Sequence, residues 1–162
     1  MGFTDVTEIG DGLVWQDVQF DQVWGQHGRG TVVKHMGGVN GIVMRADDQP
    51  TIYWTGDTIL DDEGRVSGII DRFQPDVVIA HTGGPVVPAL SDEILLMDAG
   101  EAGQLFRHAL SVNPDVSLVA VHMDSLDHAF STRSDLVTEL ARLGLSDRVT
   151  VPSDGQSVSF GG

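Results

Sequence analysis

The chain has 162 residues, 41% of them hydrophobic, enough to bury one core and to form a single domain over 1–162. Nine Lys and Arg against 24 Asp and Glu leave a net charge of −15, which argues against the basic face that nucleic-acid binding requires. Cysteine is absent, so disulfides and thiolate metal sites are excluded, and any metal must be held by His, Asp or Glu.

No apolar run approaches the ~20 residues that span a bilayer. The start "MGFTDVTEIG" has neither the basic residues nor the apolar stretch of a secretion signal, and the expectation is a soluble, cytoplasmic protein. The acids are mostly Asp, and Lys34 is the only lysine. Such a surface is similar to those of proteins from salt-loving microbes, where salt screens the self-repulsion.

In chain order, "LVWQDVQFDQVW" (13–24) alternates apolar and polar residues around Val14, Val18, Phe20 and Trp24, the pattern of β structure. It runs into the glycine-rich loop "GQHGRG", after which His35 falls in a loop. A hairpin follows: strand 41–45, a turn through Asp47, Asp48 and Pro50, and strand 51–54. Residues 65–73 read as a helix that stops before Pro75, and "DVVIAH" as a buried strand. Asp98 caps a helix whose apolar face is Ala102, Leu105, Phe106, Ala109 and Leu110. His108 sits on that helix among surface residues. "SLVAVH" is the next buried strand. Thr132 and Asp135 suit a capping box opening a helix that buries Leu136, Val137, Leu140 and Ala141 and stops at Gly144. Strands near 149–151 and at 157–160 close the chain. "PDVVIAH" and "PDVSLVAVH" repeat one pattern, each a strand after a helix, as in a covered parallel or mixed α/β sheet.

Ligands of open α/β sheets collect beyond the carboxyl ends of the strands. There "TIYWTGD" delivers Asp57, "DVVIAH" delivers His81 and "SLVAVH" delivers His122, while the preceding β region ends at His27 in "WGQHG". Imidazole and carboxylate suit zinc and related divalent ions, and the adjoining glycines let the backbone bend round one. Each residue also has a plain structural reading. A histidine at a strand end can be hydrogen-bonded and inert, and Asp57 can cap a turn. Neither a Gly-x-Ser-x-Gly elbow nor a Walker-type loop is present.

Together "GQHG", "YWTGDT", "IAHTGG" and "VAVHMDSLDH" resemble the metallo-β-lactamase fold hydrolases. The likeness is to the branch that includes ascorbate-phosphate lactonases and the phospholipase D-like enzymes acting on N-acyl phosphatidylethanolamine. It covers the chain from about residue 13 onward. The resemblance implies that His27 is a ligand of a first metal, that Asp57 bridges two metals, and that His122 is a ligand of the second. Asp57 and His122 would then also be catalytic. His81 and His128 are candidates to hydrogen-bond substrate or to orient a ligand. The implied cofactor is a divalent metal, zinc foremost, with manganese, iron and nickel also compatible. The family's His-x-His-x-Asp-His motif is absent from the sequence.

The family fold is a four-layer sandwich, helix–sheet–sheet–helix. The likeness implies its C-terminal half, an α/β (α+β) mixed sheet with helices on one face. A single half leaves the other sheet face uncovered, with Val14, Phe20, Ile42 and Tyr53 as candidates for exposure. The expected partners are a small-molecule substrate and either further copies of the chain, in a homo-oligomer, or an N-terminal half. Two functions follow. One is a metal-dependent hydrolase of an ester, lactone or phosphodiester. The alternative is a non-catalytic half-domain that serves as an assembly or binding module.

Overall fold

The computed structural model describes residues 2–10, 12–124 and 129–160. Its strands are β1 (Leu13–Trp15), β2 (Val18–Gly25), β3 (Val39–Arg45), β4 (Ile52–Trp54), β5 (Val77–His81), β6 (Ser117–Val121) and β7 (Val149–Thr150). Its helices are α1 (Val33–Met36), α2 (Arg65–Phe73), α3 (Ala99–Val112) and α4 (Arg133–Arg142). The strands form one mixed sheet in sequence order, β1 to β7. The first three pairings are antiparallel and the last three parallel.

The parallel half is built from three crossovers, through α2, α3 and α4, each stepping one strand in the same direction. Right-handed crossovers that all step the same way put their helices on one face of the sheet. Val43, Tyr53, Val78, Leu118 and Val149 are consecutive register partners and point to that face. They join Ile70 of α2, Leu105 and Phe106 of α3 and Leu136 of α4 in one buried core. Among the described residues, no helix is long and apolar enough to cross a membrane.

Local signals account for the helix ends. Asp98 accepts the amide N–H of Glu101 and caps α3, and Thr132 with Asp135 forms a reciprocal capping box on α4. The start of α2 carries Gly64 instead, and Asp61 accepts the free N–H groups of Arg65 and Val66.

Several expectations change. The β pattern over 13–24 resolves into a hairpin, because Gln16 and Asp17 both take positive φ (47° and 65°) in a two-residue turn. His35 lies in the short helix α1. Residues 157–160 form no strand. In α4 only Leu136 and Leu140 are buried, whereas Val137 and Ala141 face outward. Tyr53, expected on the open face, is fully buried under the helices, because its partners Val43 and Val78 point there. The opposite face runs through Ile42, Trp54, Ile79 and Val119. On it Ile42 and Ile79 are half-buried and Trp54 is 40% exposed. Val14 in β1 is exposed, and Phe20 is half-buried.

Candidate metal centre

Asp57, His81 and His122 meet where the parallel strands end. One donor atom from each lies within 4.8 Å of the others, and all three side chains are half-buried. Three buried threonines fasten the loops that carry them, and each has its hydroxyl bonded to nearby backbone. Thr55 accepts the backbone N–H of His81 and donates to the Gly56 carbonyl. Thr58 accepts the backbone N–H of Gln26 and donates to Ile59. Thr82 donates to the Val121 carbonyl, which also receives the Thr82 amide.

The Thr58 contact also locates His27. The Gln26 carbonyl accepts the amide of Ile59, so Gln26 is tied in both directions to the segment following Asp57. His27 is the next residue. It is half-buried and close enough for Asp57 and His122 to act on it electrostatically. An ion pair between Arg29 and Glu101 reinforces the same junction: Arg29 donates to the Leu60 carbonyl, and Glu101 accepts the Leu60 amide. Burial raises the Glu101 carboxyl above its ordinary pKa, with Arg29 and the Leu60 amide opposing that rise.

Two glycines are sterically required. Gly56 turns with φ +63°, and a Cβ there would come 2.8 Å from the Asn40 carbonyl oxygen. At Gly83 a Cβ would come 2.3 Å from the His122 carbonyl oxygen. His122 itself takes φ 67°, in the left-handed region that only a few per cent of non-glycine residues occupy.

Within the cluster the distances differ in kind. His81 Nδ1 lies 2.6 Å from Asp57 Oδ1, a hydrogen-bond distance. His122 Nε2 lies 3.7 Å from the same oxygen. Two donors ~2.0–2.2 Å from a tetrahedral zinc stand roughly 3.3–3.6 Å apart. The Asp57–His122 pair, at 3.7 Å, is therefore about 0.1 Å wider than the spacing of two ligands on one ion, whereas His81 is spaced as a proton donor to Asp57. The His81 and His122 rings stack with centroids 4.9 Å apart, and Trp54 Nε1 donates to His81 Nε2 at 2.8 Å.

The electrostatics favour the ligand forms. The His81 hydrogen bond holds the Asp57 carboxyl below its usual pKa against the opposing effect of burial. His27 is pushed below the ordinary imidazole value by burial, which Asp57 partly offsets. A carboxylate and an unprotonated imidazole are the states that bind divalent metals.

The structure thus brings Asp57, His81 and His122 together, with His27 on the adjoining loop but outside the tight group. His128 lies outside the described residues. His108 is remote, with its Nε2 2.8 Å from Asp71. Trp54 is the residue the sequence reading missed. Its indole reaches His81 only because β4 and β5 lie side by side, a pairing that no local pattern announces.

No protein-family model matches the chain. It is 27% identical over 160 residues to the UPF0173 protein YddR of Bacillus subtilis (strain 168), spanning 98% of this chain and 60% of that protein. The crystal structure of a possible metal-dependent hydrolase from Veillonella parvula DSM 2008 is similar at TM-score 0.86 and 27% identity, over 98% of this chain and 60% of that one. An isothiocyanate hydrolase from Delia radicum gut bacteria is similar at TM-score 0.79 and 25% identity, over 96% and 59%. The metallo-β-lactamase fold protein YhfI of Bacillus subtilis shares the fold at TM-score 0.62 and 14% identity, over 93% and 52%. The mixed seven-stranded sheet with its helices is thus an α/β fold of the metallo-β-lactamase kind. The chain spans about 60% of the length of the curated relative it matches.

Proposed function

We propose that this chain carries part of the active centre of a metal-dependent hydrolase, with His27, Asp57 and His122 as its metal ligands. The observation that carries this reading is the 3.7 Å approach of His122 Nε2 to Asp57 Oδ1 beyond the ends of β6 and β4, on either side of β5, with His27 on a loop bonded to the segment after Asp57. A divalent ion held there supplies a water pKa lowered toward neutrality and polarises the scissile bond. The chain's own contribution is positional. Asp57 stays ionised through its contact with His81, and burial disfavours protonation of His27. On this reading Asp57 and His122 are also the catalytic residues.

Zinc is the metal favoured by this donor set, and manganese, iron or nickel would also be accepted. The substrate class is a small molecule with an electrophilic carbon or phosphorus: an ester, a lactone or a phosphodiester. The likeness to an isothiocyanate hydrolase adds a heterocumulene carbon to that range. The 1–162 domain corresponds on this reading to the C-terminal half of a four-layer sandwich. Its apolar open face, with Trp54 at 40% exposure, would be covered by an N-terminal half or by another copy of the chain.

One fact favours a second reading, a non-catalytic half-domain used for assembly: the sequence lacks His-x-His-x-Asp-His. Metal analysis separates the two. After dialysis against zinc the wild-type chain should retain metal, and Asp57→Ala should retain none. Equal zinc in both proteins, measured by elemental analysis, would remove the hydrolase reading. Turnover of a lactone or a phosphodiester by the metal-loaded chain, absent in Asp57→Ala, would identify the chemistry.

A further inference from the structure

The proposed ligands leave His81 and Trp54 unexplained, although both sit at the centre. Trp54 lies opposite Ile79 in the β4–β5 register, so it shares a sheet face with His81, two residues further along β5. Its indole is tilted against the His81 ring, with centroids 5.6 Å apart. An indole N–H only donates, so the Nε2 that receives it at 2.8 Å must carry a lone pair. The proton of this neutral ring is then on Nδ1, which faces Asp57 Oδ1 at 2.6 Å. Both ring nitrogens are committed to protein partners. An ionised carboxylate has about four acceptor sites, so the Nδ1–H contact leaves lone pairs on both Asp57 oxygens for an ion.

We propose that Trp54 and His81 form a positioning chain behind Asp57, in which the Trp54 indole fixes the Nδ1–H tautomer of His81 and His81 fixes the Asp57 carboxylate. His81 is on this view not a metal ligand, although it lies within ligand range of the other two residues. This inference rests on the metal-site reading above and adds the residues that preorganise it. Partners that orient a ligand in this way typically contribute ~10–100-fold to metal affinity.

The opposite assignment makes the opposite prediction. If His81 bound metal through Nε2, the indole would compete with the ion, and removing the indole N–H would tighten binding. The test is zinc titration of the full 162-residue chain by calorimetry, comparing wild type, Trp54→Phe and His81→Phe. Trp54 is 40% exposed and outside the buried core, so the Phe variant keeps an aromatic side chain there while removing the N–H donor. Both variants should bind zinc ~10–100-fold more weakly. The Trp54 indole N–H, its resonance assigned by its loss in Trp54→Phe, should remain hydrogen-bonded when zinc is added to wild type. In the metal-free protein the ¹⁵N shifts of His81 should report the Nδ1–H tautomer. Unchanged or tighter zinc binding by Trp54→Phe, or loss of the indole hydrogen bond on zinc addition, would overturn the positioning role alone. A wild-type chain that binds no zinc would overturn the metal site itself and this role with it.

Discussion

Replacing Gly83 with alanine tests how tightly the fold holds His122 in place. The new Cβ would stand 2.3 Å from the His122 carbonyl oxygen, against the ~3.3–3.6 Å of an ordinary carbon–oxygen contact. One segment must therefore retreat by about 1 Å. Neither is free to do so: the Thr82 amide donates to Val121 at 3.0 Å, and the Gly83 carbonyl accepts the Ser131 amide at 3.0 Å. Overpacking of this kind costs ~1–3 kcal/mol, and stretching one of these hydrogen bonds adds ~0.5–1.5 kcal/mol. The expected loss is about 1.5–4.5 kcal/mol, read from urea unfolding followed by circular dichroism. Gly68→Ala is the internal control. It lies inside α2 with open space where the methyl would go, and it should gain ~0.5–1 kcal/mol. Since His122 must move with its carbonyl, Gly83→Ala should also bind zinc more weakly than Gly68→Ala. A Gly83→Ala midpoint indistinguishable from wild type would refute the steric reasoning.

Tyr53→Phe should leave the protein as stable or make it ~1 kcal/mol more stable. The Tyr53 hydroxyl is buried without a hydrogen-bond partner among the described residues, and removing an unsatisfied buried hydroxyl recovers its desolvation cost. A loss above ~1 kcal/mol in the same urea assay would show that the hydroxyl is satisfied. With a net charge of −15 on 162 residues, self-repulsion opposes the compact state. The melting temperature should therefore climb between low and molar sodium chloride, and a flat dependence would show that the acidic surface imposes no such strain.

The sequence by itself determined most of the local structure. Asp98 and the Thr132–Asp135 pair mark two helix starts because capping is an interaction among neighbours. The runs ending in His81 and His122 read as buried strands because both are short, apolar and follow a helix. That same reading placed Asp57, His81 and His122 at strand exits. Only the tertiary structure decided which of the residues there touch. Strand alternation divides side chains between two faces without saying which face the helices cover, and for that reason Tyr53 is buried and Trp54 is not. The amphipathic spacing of α4 left Val137 on the wrong side for a similar reason: the width of its buried stripe is set by the groove it meets. The hydrogen bonds linking Trp54, His81 and Asp57 join residues of neighbouring strand ends, and the register that aligns those strands is a property of the assembled sheet.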